Sequence, residues 1–187
     1  MDAYIDLRLL PDPEFPATVL MNALFAKLHR GLVAEGSGSL GVSFPVHGSE
    51  PLTLGNRLRL HGEAAALNRL MALDWLSGMR DHVVAADLAR VPEPSGFRVV
   101  RRVQAQSNPD RLRRRLSMRH GYDTATARQR IPDSAAERLD LPYVSMSSHS
   151  TGQQFRLFIE HGSLQATPVQ GKFSSYGLSA SATIPWF

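Results

Sequence analysis

The protein has 187 residues, and a composition of 43% hydrophobic and 20% charged residues predicts a folded chain of one medium domain or two small ones. No apolar run approaches the ~20 residues of a membrane-spanning helix, and the acidic start predicts no secretory signal. The sequence has no cysteine, which excludes disulfides, thiolate nucleophiles, iron–sulfur clusters and cysteine-type zinc sites. A lack of cysteine is typical of proteins in the reducing cytoplasm. The net charge of +4 rests on 19 arginines and only two lysines. This bias favours a polyanionic partner because guanidinium groups fit phosphates well, and high genomic GC content is the alternative cause.

Residues 1–94 predict a ferredoxin-like α+β domain. Alternating apolar residues indicate strands, and apolar residues three or four positions apart indicate amphipathic helices. These patterns predict strands at Tyr4–Leu10, Leu40–Phe44, Leu58–Leu60 and His82–Ala86. They predict one helix at Ala17–Ala34, after the first strand, and a second at Glu63–Leu76, before the last strand. This is the βαββαβ order of the ferredoxin-like fold. The proline-containing stretch Val91–Gly96 indicates a linker.

Residues 95–187 predict a smaller α+β domain that binds a polyanion. A strand at Phe97–Gln106 precedes a helix over residues 109–120, for which Asn108 is a suitable N-cap and Gly121 a stop. The remaining predicted elements are a short helix after Asp123, a helical stretch at Ser134–Leu139, and strands at Tyr143–Ser147, Gln154–Glu160, Phe173–Gly177 and Thr183–Phe187. Residues 98–187 carry 13 basic and six acidic side chains, whereas residues 1–97 carry eight basic and 11 acidic ones. This change of charge places the domain boundary near residue 94.

The predicted helix over residues 109–120 is unusually rich in arginine. Arg111, Arg115 and Arg119 lie one turn apart and form a stripe, which Arg114 flanks. Like charges at this spacing repel one another, so the stripe favours an anionic partner, and an arginine helix fits the deep major groove of A-form RNA. A solvated basic face is the alternative. Membrane binding is disfavoured because the apolar face of the helix carries no aromatic residue.

The candidate chemistry is metal-free. The sequence has no HExxH motif, no histidine pair four residues apart, no carboxylate cluster and no phosphate-cradling glycine loop, so no metal and no cofactor is expected. RNA carries its own nucleophile, the 2′-OH, and a histidine base beside it suffices for cleavage. Seven histidines are present, and composition and spacing do not decide among them. Arg102 and Gln104 lie two residues apart on the predicted strand, where they could hydrogen-bond to guanine and adenine edges.

Several strings in this sequence together resemble one family, the CRISPR-associated endoribonuclease of type I-F systems, which processes precursor CRISPR RNA. The resemblance spans the whole chain. It rests on Asp12-Pro13-Glu14-Phe15-Pro16, Lys27-Leu28-His29, Ser107-Asn108-Pro109 with the arginine run that follows it, Ser150-Thr151-Gly152-Gln153, Tyr176-Gly177-Leu178-Ser179 and Pro185-Trp186-Phe187.

The resemblance implies a role for each matching residue. His29 would be the general base that acts on the 2′-OH, Ser148 would hold the ribose, and Tyr176 would orient His29. The arginine helix would lie in the major groove of the repeat stem-loop, and cleavage would fall at the 3′ base of the stem. In the implied RNA contacts, Arg102 and Gln104 would bind the two basal pairs and Phe155 would stack under the last pair. Ser150 would contact the scissile phosphate. The residues that would contact the RNA backbone are Arg114, Arg115, Arg119 and His120.

The chain departs from the family pattern at two positions, and one alternative function stays open. Met118 stands where the family has another arginine, and His149 stands where it has glutamine. The loss of one arginine affects affinity more than binding mode. The resemblance also implies that the protein stays on its product as a monomer, within a guide-RNA surveillance complex that contains other CRISPR-associated proteins. The alternative is a non-catalytic subunit that binds an RNA hairpin, and the two functions differ at His29 and Ser148.

Overall fold

The computed structural model describes residues 1–49, 52–104, 109–132, 139–147 and 152–187, with the backbone alone for residues 49, 110 and 111. The described chain divides into two compact units. The larger unit comprises residues 1–102 and 141–187, and the smaller comprises residues 103–140. The predicted boundary near residue 94 falls within the larger unit, and the functional division that it represents stays a prediction.

The larger unit begins with an antiparallel sheet and two helices. Its elements in chain order are β1 (Ala3–Leu9), α1 (Ala17–Glu35), β2 (Gly41–Ser43), β3 (Gly48–Ser49), β4 (Leu52–Thr53), β5 (Arg57–Gly62), α2 (Ala64–Met71), β6 (Val83–Ala85) and β7 (Ala89–Arg90). The strand order is β2-β5-β1-β6, with β7 also paired to β1. Every pairing is antiparallel, and Ile5 lies opposite Leu60. This order is consistent with a ferredoxin-like α+β fold.

A second antiparallel sheet completes the larger unit. Its strands are β8 (Gly96–Val103), β9 (Tyr143–Ser147), β10 (Gln154–His161) and β11 (Thr183–Trp186), in the order β11-β8-β10-β9. The free edge of β9 is covered by α1, where the Ser145 backbone N–H donates to Asn22 Oδ1 at 2.9 Å. Such covering satisfies an edge donor that would otherwise attract another strand.

One hydrophobic core joins the two sheets to α1. Leu24 and Leu28 of α1 are completely buried, as are Leu58 of the first sheet and Leu157 of the second. The two sheets come close together at Gly41, where a Cβ would lie 2.5 Å from Ile184 Cγ2. A side chain at this position would collide with Ile184, so glycine lets β2 of the first sheet pack closely on β11 of the second.

The smaller unit contains two helices, α3 (Pro109–His120) and α4 (Thr124–Arg130). The Asp123 carboxylate caps α4 by accepting the Thr126 N–H at 2.8 Å, as the sequence predicts for a helix that begins after Asp123. Gly121 ends α3 with φ +68°, a conformation that glycine adopts without strain. The arginine-rich run is therefore helical over the predicted range.

The structure corrects several predicted elements. The segment Phe173–Gly177 is a loop and turn, not a strand. The β8 strand ends at Val103, so Gln104 lies beyond it, and α2 ends at Met71 instead of Leu76. The predicted Asn108 cap and most of the helical stretch at Ser134–Leu139 lie outside the described residues. Among the helices that are described, none combines the length and the apolar character needed to cross a membrane.

Candidate functional site

His29 lies near the C-terminal end of α1, half-buried, with its imidazole fixed by two contacts. The Nδ1 atom is 2.8 Å from the backbone carbonyl oxygen of Ser175. The ring stacks on that of Tyr176, with centroids 4.2 Å apart and planes at 13°. A carbonyl oxygen only accepts, so Nδ1 must donate and carry the proton. In the neutral imidazole, Nε2 then holds the free lone pair, which is the arrangement that a general base requires.

The partners of His29 come from a turn held against the core. The Gly177 N–H donates to the Ser174 carbonyl at 2.8 Å, and Gly177 adopts φ +69°. A Cβ on Gly177 would lie 2.2 Å from Val42 Cγ2 of β2, so the turn and the sheet meet at a position that only glycine can occupy. The ring of Tyr176 is also parallel to that of buried Phe25, at 6.3 Å between centroids. The packing of Tyr176 against Phe25 therefore sets the orientation of the ring on which His29 stacks.

A second pair of predicted residues meets in the other sheet. The Arg102 guanidinium lies over the ring of Phe155, with Cζ 5.7 Å from the ring centroid. This is a cation–π contact between neighbouring strands β8 and β10. Arg102 is exposed and Phe155 is half-buried, so both keep surface for a ligand. In the part of the chain that the structure describes, no hydrogen bond or ring contact joins this pair to His29.

The smaller unit presents the predicted arginines to solvent. Arg114, Arg115 and Arg119 of α3 are exposed, as is His120. Among the described residues none of these arginines forms a salt bridge. The side chain of Arg111 lies outside the described residues. Met118, at which the resemblance implies a departure from the family pattern, is 84% exposed on the same helix.

Ser148, Ser150 and the departure at His149 lie outside the described residues. Sequence reasoning missed the Ser175 carbonyl, because a backbone acceptor leaves no signal in residue type. It also missed Tyr122, which contacts both helices of the smaller unit. Within the described ranges, no group of three or more histidine, aspartate or glutamate side chains could hold a metal ion.

Two other described histidines are shielded from solvent: His61 is completely buried, and His161 is half-buried with an inaccessible Nδ1 atom. His61 is completely buried, with Nε2 2.8 Å from Ser43 Oγ, and burial lowers its pKa to about 3, with Arg59 adding to the effect. His161 accepts the Phe44 N–H on Nε2 at 3.2 Å. Burial, followed by the charges of neighbouring side chains, lowers its pKa to about 3 as well. Both stay neutral at physiological pH.

Taken together, the fold and the site define an α+β protein with one helix-borne histidine held in a single tautomer and a separate basic helical unit. The chain matches the model of the family described as CRISPR-associated protein (Cas_Csy4) over residues 4–187. It is 54% identical to the CRISPR-associated endonuclease Cas6/Csy4 of Pseudomonas aeruginosa (strain UCBPP-PA14) over the full length of both chains. It is 53% identical, again over the full length of both, to the Cas6/Csy4 endonuclease of Escherichia coli (strain UTI89 / UPEC). The chain belongs to the Cas_Csy4 family, which confirms the resemblance drawn from its sequence.

Proposed function

We propose that the protein is a metal-independent endoribonuclease that processes precursor CRISPR RNA. It binds the repeat stem-loop and cleaves at the 3′ base of the stem. The observation that carries this proposal is the fixed His29, whose Nδ1 donates to a main-chain carbonyl and whose Nε2 is left as a base. The family membership supports it, because the named relatives are CRISPR-associated endonucleases.

In the proposed reaction His29 Nε2 accepts the proton of the ribose 2′-OH. The 2′ oxygen attacks the adjacent phosphorus, the P–O5′ bond breaks, and the departing 5′ oxygen takes up a proton from solvent. The products are a 2′,3′-cyclic phosphate and a 5′-OH. Ser148 holds the ribose in line, and Tyr176 keeps the imidazole plane constant through stacking. The reaction draws on no metal and no cofactor, because the nucleophile belongs to the substrate.

The proposed RNA contacts divide into two kinds. Arg102 and Gln104 read the two basal pairs, and Phe155 stacks under the last pair. The backbone contacts come from the arginine-rich helix and its surroundings, namely Arg111, Arg114, Arg115, Arg119, His120 and Ser150. In this proposal, residues 1–94 form a ferredoxin-like domain that supplies the base, and residues 95–187 bind the RNA. The protein stays on the cleaved hairpin as a monomer and joins other CRISPR-associated proteins in the cytoplasm.

The second candidate function is a subunit that binds the hairpin without cutting it. This subunit would use the same arginines but would not need His29 as a base. The fixed tautomer, which leaves Nε2 as the proton-accepting nitrogen, favours the enzyme, because hairpin binding alone does not require it.

Incubation with the cognate repeat hairpin in excess chelator tests the reaction. We expect cleavage in EDTA, with a 2′,3′-cyclic phosphate and a 5′-OH as ends. We expect no cleavage when the nucleotide 5′ of the scissile phosphate is 2′-deoxy, although the hairpin still binds. An absolute need for a divalent cation, or cutting of the deoxy substrate, would show that water or a metal-bound species attacks instead.

Two arginine substitutions distinguish residues that recognise base pairs from residues that contact the RNA backbone. Arg115→Ala is expected to weaken binding of every hairpin and to lower the salt slope by about one unit, as for one lost phosphate contact. Arg102→Ala is expected to cost roughly 1–3 kcal/mol and to relax the preference at one basal pair. Salt titrations against the cognate hairpin and a hairpin with that pair exchanged measure both effects. Equal losses of affinity for both hairpins in both variants would contradict the division between base-specific and backbone contacts.

A further inference from the structure

The second helix of the smaller unit ends in two arginines that the proposed function leaves unassigned. Arg128 and Arg130 lie in the last turn of α4 and are exposed. Within the described residues neither forms an ion pair. Asp123, the acid at the start of the same helix, uses its carboxylate to cap the Thr126 N–H. Among the described residues, the end of α4 therefore carries two positive charges that no acidic side chain pairs with.

Tyr122 brings the ends of the two helices together. The ring of His120, the last residue of α3, stacks with that of Tyr122 at 5.5 Å between centroids and 21° between planes. The guanidinium of Arg130, the last residue of α4, lies 4.4 Å from the centroid of the same ring. An imidazole and a guanidinium, both donors to phosphate oxygens, thus share one aromatic ring.

The helices that carry these groups are fixed to each other. Arg113 Nε donates to the Ile131 carbonyl, just past the end of α4, at 2.8 Å. Ala127 is buried, with 1% of its surface exposed. Arg113 thereby holds the end of α4 against α3, which also explains why it stands apart from the exposed arginine stripe. The positions of His120 and Arg130 are therefore set before any ligand binds.

We propose that Tyr122 is a positioning residue that gathers His120 and Arg130 into one binding site for the phosphodiester backbone of RNA. The site extends the stripe of α3 onto α4, and it rests on the proposed function, since the ligand is the same RNA. A phosphodiester fits because both groups donate hydrogen bonds, both can carry positive charge, and no described acid neutralises them. An arginine guanidinium matches a phosphate through two parallel N–H donors.

Hairpin binding across a range of salt concentrations tests this site, with a substrate that is 2′-deoxy at the scissile nucleotide. Arg130→Ala is expected to lower affinity about tenfold, as for one charge-assisted contact, and to lower the salt slope by about one unit. Tyr122→Ala is expected to do nearly the same without removing a charge. Tyr122→Phe keeps the ring and is expected to behave as wild type. The double variant Tyr122→Ala/Arg130→Ala is expected to lose little more than Arg130→Ala alone, because both substitutions remove one contact.

Arg90→Ala is the matched control, because Arg90 is an exposed arginine of β7 and its loss changes the net charge equally. It is expected to leave the affinity and the salt slope unchanged. If wild type fails to bind the hairpin, the proposed function itself is wrong. If wild type binds and Arg130→Ala keeps both affinity and slope, the site on α4 is disproved and an acidic protein surface becomes its better partner. Equal losses in Tyr122→Phe and Tyr122→Ala would disprove positioning by the ring.

Discussion

The substitution His29→Ala is expected to lower the single-turnover cleavage rate by roughly 10²–10⁴-fold, the usual contribution of a positioned general base. Hairpin binding is expected to stay near wild type, because the arginine-rich helix and Phe155 supply the affinity in the proposed mode. The measurement is cleavage at saturating protein beside equilibrium binding of the 2′-deoxy hairpin. His82→Ala is the matched control, since His82 pairs with Asp12 at 2.9 Å and has no role in the proposed site.

Two variants of Tyr176 separate orientation of His29 from chemistry by the phenol. The described residues give the Tyr176 hydroxyl no hydrogen bond, whereas its ring stacks on His29 at 4.2 Å. Tyr176→Phe should therefore cleave at a rate close to wild type, and Tyr176→Ala should be slower. Substantial cleavage by His29→Ala would show that His29 is not the general base. The remaining hypotheses would then be a non-catalytic hairpin-binding subunit or a different base, such as His149. A slow Tyr176→Phe would make the hydroxyl, and not the ring, the functional group.

Local patterns predicted the elements of the larger unit better than its long-range contacts. The alternation of Ile5, Leu7 and Leu9 identified β1, because one face of that strand is buried. The pairing of Thr183 with Val99, which joins β11 to β8, could not be inferred, because no local spacing encodes partners so far apart in sequence. This pairing places residues 141–187 in one unit with residues 1–102.

The sequence allowed the residues of the candidate site to be predicted, but not their arrangement in space. The resemblance pointed to His29 and Tyr176, and the structure places their rings in contact. The turn that delivers Tyr176 lies in the segment Phe173–Gly177, which was predicted as a strand. What decides the turn is the left-handed Gly177 against Val42, and this depends on a contact with a distant strand. The same limit applies to the Ser175 carbonyl, whose role follows from where the chain turns.

Acid is expected to destabilise the fold well above the pH at which exposed carboxylates take up protons. The unfolded chain protonates His61 and His161 near pH 6.5, whereas the folded chain does so near pH 3. The unfolded state thus binds more protons between these values, and stability is present above pH 6.5 and is lost as the pH falls toward 3. Each histidine contributes at most about 1.4 kcal/mol per pH unit, and half of that at pH 6.5, where its imidazole is half protonated in the unfolded chain.

Urea unfolding at pH 6.5, 6.0, 5.5 and 5.0 measures this slope before carboxylates with a lowered pKa, such as that of Glu35, begin to protonate. The variant His161→Gln keeps an acceptor for the Phe44 N–H and cannot titrate, so its stability should fall with pH about half as steeply as that of wild type. His120→Gln is the control for the His→Gln substitution itself, because this side chain is exposed in the folded protein. The comparison uses slopes, so a uniform loss of stability in His161→Gln does not obscure the result. Identical slopes in wild type and His161→Gln would show that proton uptake by this buried imidazole does not drive acid unfolding. The same experiment with His61→Gln tests the other histidine, whose Nδ1, like that of His161, is buried and has no hydrogen-bond partner among the described residues.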